Sequence, residues 1–297
     1  MKSLRILLLP FSWLYGMVVL LRNFLFDIGL LKSRTVNLPV ICIGNLNTGG
    51  TGKTPHTEYL LSVLSNFKTA VVSRGYGRNT KGIAEVQINS EAKETGDEPL
   101  QIKRKFQSVP FIVSEKRSEG IDYLLEHYPQ TEVVLLDDAF QHRSVKAGLN
   151  LLLTQFNDLF INDYLLPAGN LREPVLSSSR ADVIIVTKCP STITTEQKKS
   201  IISQLPAKPV FFSSFQYGNL QSLNSDKKLN LSELSAYEIL LITGIASNKN
   251  LLHFLSAHSR KTIVLTFKDH HNYCAKDFKN ITVVFNNLAS EKKIIVV

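Results

Sequence analysis

Cysteine is scarce in this chain: Cys42, Cys189 and Cys274 are the only three, widely spaced and with no CxxC pair. An odd, dispersed set excludes a disulfide framework and a thiolate zinc site, and fits a reducing compartment. Gly (15) and Pro (11) are too few for a collagen-like or low-complexity chain, and no internal repeat is visible. Only 20% of residues are charged and 44% are apolar, proportions that exclude disorder. Acid is the scarcer charge, with 25 Asp and Glu against 34 Lys and Arg, a net charge of +9. That surplus favours anionic partners, whether nucleic acid, an anionic membrane face or a phosphorylated substrate. No aromatic-plus-basic motif of RNA- or DNA-binding modules accompanies it, so no nucleic-acid partner is expected.

A long uncharged run is also missing. The greasiest stretch, Ile6 to Leu21, lies between Arg5 and Arg22 and contains Pro10 and Gly16. As a helix it would reach about 24 Å, short of the roughly 30 Å of a bilayer core. The polar positions Arg5, Ser12, Gly16, Asn23, Asp27 and Arg34 are spaced 7, 4, 7, 4 and 7. On a helix they form one narrow stripe, and the rest of the circumference is apolar, with Trp13 and Tyr15. Such a helix buries itself in protein or lies in a membrane interface. A signal peptide would share the basic start, Lys2 and Arg5, but no clear small-x-small site follows the apolar core. Residues 1–34 are read as an amphipathic membrane helix.

Beyond it, short apolar runs alternate with helical patterns. Strands are expected at Leu38–Ile43, Thr69–Ser73, Val109–Val113, Glu132–Leu136, Leu149–Leu153 and Ala181–Thr187. Helices are expected at Thr57–Asn66, Glu98–Phe106 and Ser118–His127. This pattern predicts an α/β fold with a mostly parallel sheet covered on both faces, over residues 35–208. A smaller α/β unit is expected over 209–297, with strands at Val210–Phe215, Glu238–Thr243 and Thr262–Phe267 and a helix at Asn248–Ala257. The chain ends on the apolar Lys293–Val297, which reads as a truncation.

Chemistry enters at GNLNTGGTGKTP, Gly44–Pro55. A strand runs into a glycine loop and then a helix, the order of a phosphate-binding P-loop. Gly49, Gly50 and Gly52 let backbone N–H groups curl around phosphate oxygens, and the helix N-terminus adds partial positive charge. Lys53 is placed to reach the β- and γ-phosphates of ATP, and the Thr54 hydroxyl to ligate Mg²⁺. The loop residues Asn47, Thr48 and Thr51 complete the cradle. The strict pattern has glycine where Asn47 stands, so this is a variant loop. The strand Glu132–Leu136 runs into Asp137-Asp138, carboxylates where a Mg²⁺-holding acid is needed. The strand Ala181–Thr187 ends in Lys188-Cys189-Pro190 where guanine-reading proteins have Lys-x-Asp, which favours ATP.

GNLNTGGTGKTP, SRGYGR, GDEP, LLDDAFQHR, LPAGNLREP and FKDHH, in this order and spacing, resemble the tetraacyldisaccharide 4′-kinases of lipid A biosynthesis, from the N-terminal helix to about His271. The resemblance implies a P-loop NTPase-like domain. It also implies transfer of the ATP γ-phosphate to the 4′-hydroxyl of an acylated glucosamine disaccharide 1-phosphate, forming lipid IVA. ATP and Mg²⁺ are the implied cofactors, and an anionic membrane surface at the cytoplasmic face of the inner membrane the implied location, peripheral or monotopic.

Residue by residue, Asp97 matches the family's catalytic acid and His270 the histidine that pairs with it; on sequence alone His271 is an equal candidate, and Asp97 reads as a helix N-cap. Thr54, Asp138 and Glu173 match the Mg²⁺ shell, and His142 lies near the nucleotide. Arg74, Tyr76 and Arg78, with Arg172 and more weakly Arg117, match substrate-facing positions. The family's DDGFQHR has glycine where this chain has Ala139, a strained substitution if φ there is positive. The family also continues past the last strand. The competing reading is a membrane-tethered P-loop ATPase switch without a lipid acceptor, which would need neither Asp97 nor His270. A degenerate P-loop scaffold would not retain Lys53, Thr54 and Asp138.

Overall fold

The computed structural model describes residues 5–223, 225, 227–245, 248–269, 271–288 and 294–296, in two compact units, Met1–Ser214 and Phe215–Val297. The larger unit begins with helix α1, Leu9–Asp27. Strand β1 (Val40–Asn45) leads through the glycine loop into α2 (Lys53–Val63), and β2 (Thr69–Ser73) follows. A two-residue strand β3 (Ala84–Glu85), one turn of helix α3 (Ala92–Thr95), α4 (Asp97–Lys105) and β4 (Phe111–Val113) come next. Then come α5 (Arg117–His127), β5 (Val133–Asp137), β6 (Leu149–Gln155), β7 (Val183–Thr187), α6 (Thr195–Gln204) and β8 (Val210–Phe212).

The eight strands form one sheet in the order β3-β4-β2-β5-β1-β6-β7-β8, parallel except for β3. The runs were expected to be continuous and apolar because a parallel sheet buries both faces. Adjacent residues indeed enter different cores: Val72 and Leu136 pack with Ile121 and Leu124 of α5, whereas Val71 and Leu135 pack with Leu61 of α2 and Leu100 of α4. Gly120 lets α5 lie close on β2, because a Cβ there would sit 2.9 Å from a Val72 methyl. The apolar run Val210–Phe212 pairs with β7, so the second unit starts at Phe215 and not near Pro209. An edge strand and the first strand of a new sheet look alike in sequence; only pairing distinguishes them.

Helix α1 packs on the larger unit with its polar stripe inward. Ser12, Gly16 and Asn23 are buried, whereas Phe11 is 62% and Trp13 71% exposed. Arg34, last in the stripe, lies beyond the helix and pairs with Asp122. A buried core helix is thereby excluded. In α4, Lys103 is buried, and its Nζ donates to the carbonyls of Gln107 and Val109, each at 2.9 Å.

In the smaller unit, β9 (Leu220–Gln221) and β10 (Lys228–Leu229) form a short antiparallel pair. A parallel three-stranded sheet has the order β12-β11-β13, from β11 (Glu238–Thr243), β12 (Lys261–Thr266) and β13 (Ile294–Val296). Ile239, Leu241 and Leu255 of α7 (Lys249–His258) share a small core, and α8 is Ala275–Leu288.

Leu135 is fully buried in the central strand β5. Leu135→Ala should cost about 2–5 kcal/mol, read as a lower denaturation midpoint of the larger unit.

Candidate active site

The parallel strands β2, β5 and β1 are neighbours, so their C-terminal ends open on one edge, where ligands bind in sheets of this kind. The register pairs Ile43 of β1 with Asp137 of β5, which sets the acidic pair beside the start of the glycine loop.

The loop is shaped by its backbone. Gly49 and Gly52 have φ of +108° and +89°, and a Cβ at Gly49 or Gly50 would meet nothing within 4 Å. Asn47, at the pattern's missing glycine, is not in the positive-φ region, so a side chain costs no strain there. Its amide nitrogen and oxygen and the Thr51 hydroxyl are buried without partners, which leaves polar atoms in the cradle for a ligand to satisfy. Lys53 Nζ lies 3.3 Å from Asn45 Oδ1 and 3.7 Å from Asp138 Oδ1. Thr54, in the first turn of α2, is nearly buried.

Arg172 spans the same cluster. Its guanidinium donates to both Asp138 oxygens, at 2.8 and 3.3 Å, and to the backbone and side-chain oxygens of Asn45. Arg117, expected to face substrate, is fully buried. It donates to the carbonyls of Ser114 at 2.7 Å and of Asp137 and Asp138 at 3.4 Å. It therefore braces the strand end from behind and is not free to meet a ligand.

The two neighbouring carboxyls are driven apart. Burial, with Asp138 and Glu98, pushes Asp137 up to about 6, while Thr57 donates to it at 3.0 Å. Burial alone would also raise Asp138, but Lys53 and Arg172 hold it down at about 2. Asp138 carries a φ of +46°, and Ala139 does not have positive φ, so the expected strain at alanine is absent and sits one residue earlier. His142 lines a cavity of about 440 Å³ with Phe26 and Asp27 from the end of α1 and Arg180. Burial, then Arg117 and Arg74, push its pKa down to about 4.

The Arg74–Arg78 loop follows β2 and surrounds a cavity of about 610 Å³ with Lys81 and Glu115. Arg74 and Tyr76 are exposed; Arg78 is anchored on Glu115 and the Gly82 carbonyl, both at 2.6 Å, with its Nε and Nη1 buried and unpartnered. Gly96 packs on this loop: its φ is +94° and a Cβ would sit 2.8 Å from the Tyr76 carbonyl. Asp97 is exposed immediately after it, in the first turn of α4; the N-cap position falls to Gly96. Glu98 is near enough to raise Asp137, which brings the start of α4 towards the P-loop edge.

Glu173 does not show an open coordination face. It is 1% exposed, ion-paired with Arg180, and 3.5 Å from Asn23 Nδ2 and 3.8 Å from Arg22. His270 lies outside the described residues. His271 bonds Asp277 at 2.9 Å and stacks on Phe267. Among the described residues no group of three or more His, Cys, Asp and Glu is placed to hold a metal ion. Mg²⁺ needs no such cage, since one or two carboxylates plus substrate phosphates serve it.

Several residues that hold the site were not among those expected from the sequence. Thr187 donates to the Thr51 carbonyl at 2.8 Å, and Lys188, at φ +56°, bonds the Gly50 carbonyl. His56 ties the Gly52 carbonyl at 2.7 Å to Ser213 at 3.1 Å. Asn45 is the fully buried hub of Lys53, Arg172 and Gln141. The sequence signal for Thr187 and Lys188 was their place at a strand end, where Lys188 had been read only against the guanine-reading Lys-x-Asp pattern.

A histidine held neutral in the fold and free to protonate when unfolded loses stability as pH falls from its ordinary 6.5 toward 4. Asp137 acts in the opposite sense, gaining stability as pH falls below about 6. The His142 part is isolated by comparison with His142→Gln, whose stability relative to the unaltered chain should improve between pH 6.5 and 4 in denaturant titrations.

A family model for tetraacyldisaccharide-1-P 4′-kinase matches residues 4–296. A tetraacyldisaccharide 4′-kinase from Bacteroides fragilis is 49% identical over 97% of this chain and 80% of its own length. One from Flavobacterium johnsoniae is 42% identical over 99% and 86%. A crystal structure of LpxK from Aquifex aeolicus in complex with ATP aligns with a TM-score of 0.77 at 30% identity, over 99% of this chain and 93% of that one. Matches across the whole P-loop scaffold favour a kinase over a nucleotide switch, and the chain belongs to the tetraacyldisaccharide-1-P 4′-kinase family, the ATP-dependent phosphotransferases of lipid A biosynthesis.

Proposed function

We propose that phosphoryl transfer to the disaccharide 4′-hydroxyl takes place at the edge formed by the P-loop, the Asp137–Asp138 strand end and the Arg74–Arg78 loop. Lys53 and the loop amides bind the phosphates of ATP. Thr54 and Asp138 would hold Mg²⁺, which when bound offsets phosphate charge. Arg172 keeps Asp138 ionised and oriented.

Asp97 acts as the base or orienter for the acceptor hydroxyl. The observation that carries this role is its position: an exposed carboxylate, set by the Gly96 turn against the Arg74–Arg78 loop and next to Glu98, whose charge raises Asp137. The cationic cavity of that loop suits a phosphorylated sugar, with Arg74 for phosphate and Tyr76 for the ring.

The lipid acceptor is met at a membrane surface by α1. The helix Ile6–Asp27 is long and apolar enough to cross a membrane by length and composition. Its bonds to the larger unit, however, run from Arg5 through Asp27, so it lies along the protein, which supports an in-plane position; the surface proposed for it is the cytoplasmic face of the inner membrane. Phe11, Trp13, Leu14, Met17, Val18 and Leu21 form its exposed apolar face.

Asp97→Asn should lower transfer of labelled γ-phosphate to tetraacyldisaccharide 1-phosphate in detergent micelles by about 10²–10⁴, with ATP affinity retained. Equal rates for the two proteins would remove Asp97 from the reaction. A Trp13→Ser, Leu14→Ser, Met17→Ser triple variant should no longer float with anionic phospholipid vesicles.

A further inference from the structure

A helix whose sole task is to anchor needs only an apolar face, yet α1 spends its other face on the nucleotide site. Tyr15 Oη donates to the Arg172 carbonyl at 2.8 Å. The Arg172 N–H donates to the Leu46 carbonyl at 2.7 Å, which pins this backbone to the end of β1. The Arg172 guanidinium then reaches Asp138 and Asn45. A second route starts about two turns later. Arg22 donates to the Gln141 carbonyl at 2.8 Å, and the Gln141 side chain donates to the Asn45 carbonyl at 2.8 Å. Both routes end on Asn45, whose Oδ1 accepts from Lys53 at 3.3 Å.

We propose that Tyr15 and Arg22 are positioning residues for ATP binding: through Arg172 and Gln141 they fix Asn45, and with it Lys53 and Asp138. This rests on the reading of the P-loop edge as the nucleotide site. Physically, Tyr15 restrains the Arg172 peptide. If that peptide rotates, the guanidinium cannot satisfy Asp138 and Asn45 together, and the lysine loses its fixed acceptor. The membrane helix is thereby part of the nucleotide site, in addition to being its tether.

Tyr15→Phe tests this with little else changed, since it removes one hydroxyl and keeps the ring. Affinity for a fluorescent ATP analogue is measured in detergent micelles without vesicles, so that membrane attachment does not enter. Loss of one such hydrogen bond should weaken it by about three- to tenfold, and Arg22→Gln should weaken it further. KM for ATP should rise while KM for the lipid acceptor stays, and vesicle flotation and melting temperature of Tyr15→Phe should match the unaltered chain. Unchanged ATP affinity in both variants overturns the proposal. So does a loss of affinity that comes only with a lower melting temperature, which would mark a role in folding. Lys53→Ala separates the two readings. If it binds ATP normally, the nucleotide site has been misplaced; if it loses ATP while Tyr15→Phe does not, only the role of the helix fails.

Discussion

Two adjacent carboxylates at the end of a buried parallel strand dominate the physics of this protein. Left alone, Asp137 and Asp138 would repel each other in a place that disfavours any charge. The fold resolves this by giving them opposite surroundings. Asp137 turns inward to the Thr57 hydroxyl and is pushed up to about 6, while Asp138 turns to Lys53 and Arg172 and is held at about 2. One strand end thus offers one reliably ionised carboxylate beside a lysine, the pairing a phosphoryl-transfer site needs. Asp138 occupies a left-handed backbone position for it, a strain that the surrounding bonds must maintain.

Much of the remaining molecule serves that cluster. Arg117, wholly buried, holds the carbonyls behind the carboxylates. Thr187 and Lys188 hold two P-loop carbonyls from the neighbouring side of the sheet, and Asn170 accepts from the Thr48 N–H at 2.7 Å. The segment between β6 and β7 carries both Asn170 and Arg172, and it is also what α1 docks against. The docking of α1 and the bracing of the P-loop cluster therefore meet on one stretch of chain. This explains why the polar stripe of α1 faces protein: its hydrogen bonds are made in a water-poor contact where they are specific, and the apolar face is the one left exposed.

Local physics was plainly visible in the amino-acid order. Continuous apolar runs revealed a parallel sheet because burial on both faces removes the usual alternation. The Gly49–Thr54 stretch disclosed a phosphate loop because few sequences fold tightly around an anion at a helix start. The spacing of Arg5, Ser12, Gly16, Asn23 and Asp27 disclosed the helix stripe, though a stripe has no outside: only docking told which face meets protein. Likewise Val210–Phe212 is an apolar run in any context, and only pairing to β7 assigned it to the large sheet.

What the order of residues determined by itself was the repertoire: a P-loop, an acidic strand end, an Asp97 candidate, basic loops and an amphipathic start. Tertiary structure alone decided how these share charge. Arg172 and Arg117 look alike as candidate substrate arginines, yet one contacts the ionised Asp138 and the other is sealed behind it. Glu173 looked like a metal ligand and is held by Arg180 and Asn23. Neither difference has a local signature, because long-range packing sets the desolvation and the opposite charge that each group meets, and those two energies decide its role.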